Sequence, residues 1–210
     1  MAEKAEKRAQ GDGRRAEVFR TAAKMILLKG YDATSVSDIA DALGITKAGL
    51  YHYIKGKTDL LFEIMKYGLE ELEREVLVPA REIADPAERL RFVITTHARI
   101  VTRGDGVVTI LVDEARALTP SQNCTVIRMK RKYIDCLRST LEEMQKQGTL
   151  RRIDTTVAAF SIAGAVNWLS RWYRPDGKLG ADEIAKQIAD AALHGVLKEE
   201  PRRRRGLRAL

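Results

Sequence analysis

The apolar residues of this chain recur at helical spacing almost from end to end, and that periodicity constrains the fold more than any other feature. Val18, Phe19, Ala22, Ala23 and Ile26 form one stripe, closed by Gly30. Val36, Ile39, Ala40 and Leu43 form a second, closed by Gly44. A third, short element runs from about Lys47 to Tyr53, and a fourth carries Leu60, Leu61, Ile64, Leu72 and Val76 towards Pro79. The fifth begins at Pro86, a residue suited to the first turn of a helix, and runs to about Arg103, before Gly104 and Gly106. A sixth, very apolar, spans Val107 to about Leu118. The seventh is long, with Ile127, Ile134, Leu137, Leu141 and Met144 ahead of Gly148. The eighth covers roughly 154–173 and the ninth 181–197. Alternating strand patterns are poor and no solenoid repeat is present. The expected fold is all-α, with about nine helices.

Composition narrows the class further. A chain of 210 residues, 45% hydrophobic and 31% charged, is an ordinary globular protein of one large or two small domains. No apolar run approaches the roughly 20 residues of a membrane helix. The start, MAEKAEKRAQGDGRR, has no apolar stretch behind it and does not read as a secretory signal, so the expected location is the cytoplasm. Cys124 and Cys136 fall on one expected helix, roughly 18 Å apart, and read as free thiols. There is no CxxC or HxxxH spacing, so neither metal nor cofactor is expected. The net charge is +8, and it sits at the ends. Residues 1–60 carry eleven Lys/Arg against eight Asp/Glu, and residues 198–210 carry six against two. A basic head and tail around a nearly neutral, apolar middle point to a polyanion-binding head and a separate body. The tail PRRRRGLRAL has no apolar period and is expected to be disordered.

Residues 34–53, TSVSDIADALGITKAGLYHY, read as a helix, a tight turn and a second helix. Thr34 or Ser35 can cap the first helix, and Ser35 with Asp38 resembles a capping box. Gly44 supplies the turn's backbone freedom, Ile45 plugs the angle between the helices, and Thr46 caps the second. Leu50 and Ile54 face inward. The outward residues are candidate DNA contacts: Thr46, Lys47, Gly49, Tyr51, His52 and Tyr53, with Ala48 and Gly49 small enough for close approach. Thr34, Ser35 and Ser37 are further candidates on the first helix, and Lys57 is placed near a phosphate. In such a motif the second helix enters the major groove and its first residues meet base edges. No arginine lies on it, so bidentate reading of guanine is weak and Lys47 must do more.

With the preceding amphipathic helix, Gly30-Tyr31-Asp32-Ala33-Thr34-Ser35-Val36, then Asp38-Ile39-Ala40, Leu50-Tyr51-x-Tyr53, Lys57 and Leu60, residues 14–64 strongly resemble the TetR family of bacterial transcriptional repressors. Ile54, where that family usually has Phe, and Tyr53, where it often has His, are departures that keep size and leave the operator sequence open. The resemblance implies a dimer on a palindromic operator, and a helical body holding a small-molecule pocket. On this reading residues 1–57 form an arm and DNA-binding head, 58–197 a ligand-binding and dimerisation domain, and 198–210 the basic tail.

Two patterns in the body agree. The ninth helix carries Ile184, Ile188, Ala191, Ala192 and Val196 on one stripe, and the eighth carries Ala158, Ala159, Ala163, Gly164 and Ala165. Pairs of such helices can form a four-helix bundle between subunits, or pack within one. The segment NWLSRWYRPDGKL holds both tryptophans; Asn167 and Arg171 share a face, as do Trp168 and Trp172. It is either an aromatic plug at an interface or an aromatic wall beside a cation. It also resembles the corresponding region of TetR-type repressors of fatty-acid and steroid-ring breakdown, which implies an acyl-coenzyme A effector. Arg128, Lys130, Arg131 and Lys132 are then possible phosphate partners, or a solvated basic face. His97, among Val93, Ile94, Ile100 and Val101, is a satisfied core residue or a polar contact of the pocket. Asp113 and Glu114, in an apolar run, cap or pair rather than bind metal.

Three functional classes compete. The first is a ligand-responsive dimeric repressor, whose effector is an acyl-coenzyme A or another lipophilic or aromatic molecule. The second is a helical enzyme, but no nucleophile elbow, P-loop or HExxH is present. The third is a non-specific DNA-binding protein, motivated by the Arg-rich tail and opposed by the large apolar body.

Overall fold

A computed structural model describes residues 2–113 and 115–198, with side chains from Gly13 onward except at 112–115. The basic tail after Lys198, and the side chains of Asp113 and Glu114, lie outside the described residues. Among the described residues nine α-helices follow one another: α1 Ala2–Lys29, α2 Val36–Ala42, α3 Lys47–Leu50, α4 beginning at Lys57–Leu72, α5 Pro86–Thr102, α6 Ile110–Asp113, α7 Pro120–Lys146, α8 Thr155–Trp172 and α9 Ala181–Val196. Helix α4 continues through a π-helical turn, Glu73–Leu77, and a last turn, Val78–Ala80. Among the described residues there is no strand, only a lone antiparallel bridge between Leu150 and Leu197. Among the described residues no helix is long and apolar enough to cross a membrane.

Helix limits follow local chemistry. Asp85 caps α5 by accepting from the Glu88 amide, with Pro86 in the first turn. Thr119 and Gln122 close a reciprocal capping box at the start of α7, which also begins on a proline. Asp154 accepts from the amides of Thr156 and Val157 to start α8.

The expected sixth helix is cut short. Gly104 and Gly106 adopt φ of +72° and +78°, and the chain makes a turn before a single helical turn at Ile110–Asp113 and a 3-10 turn at Ala115–Ala117. The apolar run survives as buried Val107, Val108, Ile110 and Leu111. These residues fill the space beside α1 and α4, so burial rather than helical register dictates their composition.

The core is continuous from head to body. Phe19 and Ala23 of α1, Leu60 and Ile64 of α4, Leu90 and Ile94 of α5, Leu137 of α7 and Val166 of α8 are all buried in it. The stripe expected on α9 divides. Ile184 and Val196 are buried within the protomer, as are Ala185, Ala189 and Leu193, on the side that packs against α5. Ala191 stays exposed, and Ile188 and Ala192 are half-buried. Arg99–Asp182 at 2.6 Å and an Arg91–Asp190 pair tie α9 to α5.

Candidate functional site

The head is assembled by caps and one glycine. The Ser35 amide donates to Asp38 Oδ2 at 2.8 Å and the Asp38 amide donates to Ser35 Oγ at 3.1 Å, starting α2. The Ser35 amide, then its hydroxyl, hold the Asp38 carboxyl below its usual pKa. Gly44 turns the chain at φ +63°. Thr46 Oγ1 accepts from the Gly49 amide at 3.0 Å to start α3. The α-helix ends at Leu50, and bonds from the His52 and Tyr53 amides to the Gly49 and Leu50 carbonyls carry the chain on as a tighter turn. Leu50 and Ile54 are buried beneath, as expected. Thr46, Lys47, Ala48, Tyr51, His52 and Tyr53 are exposed together, with Gly49 half-buried among them. A Cβ on Gly49 would sit 3.3 Å from the capping hydroxyl of Thr46.

Two candidate contacts have partners within the protein. Thr34 is 1% exposed and its hydroxyl donates to the Gly30 carbonyl at 2.8 Å, so it closes the α1–α2 turn rather than facing a groove. Lys57 is half-buried; its ammonium donates to the Asp32 carbonyl at 3.1 Å and lies 4.4 Å from the centre of the Tyr31 ring. Ser35 is exposed but engaged in its cap, and Ser37 is half-buried on α2.

Head and body meet around a charged cluster. Arg20 of α1 donates to Glu71 Oε1 at 2.9 Å and to the Tyr67 hydroxyl at 3.1 Å, and pairs with Asp105 at 3.5 Å. Burial, then the nearby Glu71 charge, raise the Tyr67 pKa, and burial likewise raises that of Asp105. Glu71 is itself 1% exposed. None of these residues stood out in the sequence, because each partner lies about 50 or more positions from Arg20.

In the body a cavity of about 390 Å³ opens between α4, α7 and α8. Its walls are mostly apolar: Leu69, Leu72, Val108, Leu111, Ile134, Phe160 and Ala163. Four polar side chains join them: His97, Lys130, Tyr133 and Asn167. His97 Nδ1 and the Tyr133 hydroxyl lie 2.8 Å apart, with the two rings near edge-on at 4.8 Å. Burial lowers the His97 pKa to about 4, leaving the imidazole neutral at pH 7, and raises that of Tyr133. Lys130 donates to the Leu111 carbonyl, and burial lowers its pKa. Thus His97 and Asn167 are brought together on the cavity, whereas Arg128, Trp168, Arg171 and Trp172 are exposed and outside its lining. Trp168 and Arg171 stand one turn beyond Gly164 and Asn167 along the same α8 face. Tyr133 was missed because a lone tyrosine at the spacing of Val126, Leu137 and Leu141 reads as plain core. Of the expected basic face Arg128, Arg131 and Lys132 are exposed, and Lys132 pairs with Glu73 at 2.7 Å.

A second, apolar groove of about 400 Å³ runs between α8 and α9, lined by Ala158, Ile162, Ala165, Ile188, Ala191 and Gly195 among others. Among the described residues no cluster of His, Cys, Asp and Glu could hold a metal.

Comparison with known proteins agrees with this architecture. A family model described as bacterial regulatory proteins, tetR family, matches residues 18–64, and one described as tetracyclin repressor-like, C-terminal domain, matches residues 84–196. The chain is 30% identical to the HTH-type transcriptional repressor KstR2 of Rhodococcus jostii, over 88% of this chain and 91% of the relative. It is 40% identical to AibR, solved in complex with isovaleryl coenzyme A and operator DNA, with a TM-score of 0.77 over 87% of this chain and 97% of that one. KstR2 of Mycobacterium tuberculosis gives a TM-score of 0.78 at 27% identity, over 89% and 96% of the two chains. The chain therefore belongs to the TetR family of bacterial transcriptional repressors, a regulator and not an enzyme.

Proposed function

We propose that this repressor binds a palindromic operator as a homodimer and is released from it by an acyl-coenzyme A thioester. The domains are read as a head over 1–57, a ligand-binding and dimerisation body over 58–197 and a basic tail, acting in the cytoplasm. Thr46, Lys47, Ala48, Gly49, Tyr51, His52 and Tyr53 form the groove-facing surface. Two heads are needed because half-sites lie about one helical turn, roughly 34 Å, apart. The groove of α8 and α9 is the proposed dimer seam.

The observation that carries the reading is the course of α4. Its Glu63, Tyr67 and Glu71 meet Arg15, Phe19 and Arg20 of α1, while Leu69 and Leu72 on the same helix line the cavity. A ligand that prefers a shifted α4 changes the spacing of the two heads, and it acts only through that difference in affinity. A mostly apolar cavity of about 390 Å³ suits an acyl chain. Trp168, Arg171 and Trp172, with Arg128, are assigned to the nucleotide end that remains outside. AibR's complex with an acyl-coenzyme A supports the ligand class.

The test is a mobility-shift titration on the DNA upstream of the protein's own gene, at one salt concentration, with a panel of acyl-coenzyme A esters. Specific binding released by an ester supports the reading. Specific binding untouched by the whole panel keeps the repressor and moves the effector to another lipophilic class. No preference over random DNA refutes operator recognition.

A further inference from the structure

The cavity wall contains a hydrogen-bond donor with nothing to donate to. His97 is 2% exposed, lines the cavity, and has one polar partner, the Tyr133 hydroxyl at 2.8 Å from Nδ1. Nε2 is buried without any partner among the described residues. The proton positions follow from counting. If Nδ1–H donated to Tyr133, both the phenolic hydrogen and the Nε2 lone pair would be orphaned. If the phenol donates to Nδ1, a single orphan remains, the Nε2–H group. Burial keeps both groups neutral at pH 7, so neither escapes by ionising.

Buried polar groups are almost always paired, so an unanswered one beside a cavity calls for an explanation. The pair does not look like an inert filler of the core. Val93, Ile94 and Ala98 around it on α5 pack without polar groups, and an apolar pair in place of both His97 and Tyr133 would leave no orphan. Nε2 is also sealed from bulk solvent. A ligand reaches it through a rotamer change in the cavity wall, of the kind binding commonly causes.

We infer that His97 Nε2–H, fixed in that tautomer by Tyr133, is the specificity determinant that reads a carbonyl oxygen of the effector's acyl group. This rests on the effector reading above and deepens it. Tyr133 acts as a positioning residue, orienting a proton it does not itself deliver. The device rejects a ligand of the same shape lacking the oxygen, because seating that ligand leaves the donor unpaired in an apolar wall.

The experiment is calorimetric titration of the full-length protein with two probes, isovaleryl-coenzyme A and its thioether analogue S-(3-methylbutyl)-coenzyme A, which lacks only the carbonyl oxygen. The wild-type protein is expected to bind the thioester roughly 5- to 150-fold more tightly. His97→Leu is expected to bring the two affinities within about twofold. Should His97→Leu fail to unfold cooperatively, Tyr133→Phe carries the test, since loss of the fixed tautomer must shrink the preference. Equal binding of both probes by the wild-type protein overturns the inference while leaving the acyl-coenzyme A reading intact. An undiminished preference in the variant also overturns it, placing carbonyl recognition elsewhere. Binding of neither probe overturns the inference for the isovaleryl group, whereas the thioester reading itself falls only if the whole ester panel fails to release operator DNA.

Discussion

Lys47 and Thr34 were candidates of the same kind in the sequence, and the fold separates them. Lys47 stands exposed in the first turn of α3, beside Tyr51. Lys47→Ala or Tyr51→Ala should abolish specific operator binding and leave effector affinity unchanged, measured by gel shift and calorimetry on the same samples. Retained operator affinity in both would count against this docking face. Thr34→Val should instead cost about 1 kcal/mol of stability through the lost bond to Gly30, with the salt dependence of DNA binding unchanged. His97 adds a pH signature. Its folded pKa, about 4, lies below the ordinary 6.5, so below pH 6.5 the unfolded chain takes up a proton that the folded chain refuses. The imidazole therefore has no effect on stability above about pH 6.5. Between pH 6.5 and 4 it removes stability, up to about 3 kcal/mol. Urea denaturation of wild type and His97→Leu at pH 7 and pH 4.5 should show this slope in the difference between them.

At the scale of elements, the segment between α5 and α6 is the one the periodicity described least well. It wedges between α1 and α4. A Cβ on Gly106 would clash with Leu27 Cδ1 and meet the Ala23 carbonyl carbon at 3.4 Å, in a backbone conformation with φ of +78°. A Cβ on Gly68 would meet Val107 Cγ1 at 2.9 Å and the Val107 carbonyl oxygen at 3.1 Å. Asp105 meets Arg20 from the same segment, and Val108 and Leu111 reach the cavity. Gly106→Ala should destabilise by about 1–2 kcal/mol from the left-handed backbone alone. Gly68→Ala should push the segment off α4, costing about 1–3 kcal/mol and weakening effector binding, since the same segment forms the cavity wall. Unchanged melting and unchanged effector affinity in Gly68→Ala would show that this close approach matters little. The long helices were legible because each buries one face and repeats its demand every 3.6 residues. A segment such as 106–111, mostly buried by wedging, has no repeat to read.

For the whole molecule, the surface proposed as the dimer seam is the α8–α9 groove. Ala191 is exposed in the protomer and lines that groove. Ala191→Glu should leave the protomer folded, yield monomers in light scattering, and reduce operator binding to non-specific levels. A dimer of normal operator affinity would place the seam elsewhere. Periodicity, capping residues and the Gly44 turn were enough to establish an all-helical chain and its helix–turn–helix, because those depend on neighbours three or four positions away. The exposure of Lys47 and Tyr51 and the burial of Leu50 and Ile54 belong to the same local geometry. Tertiary structure alone decided that Thr34 turns inward, that Lys57 is held against Tyr31 and Asp32, and that Arg20, Glu71 and Asp105 converge. It also decided that His97 and Tyr133 share a cavity from which Trp168 and Trp172 are excluded. These outcomes depend on residues distant in sequence meeting in a low-dielectric interior, where packing and the cost of an unpaired polar group override local pattern.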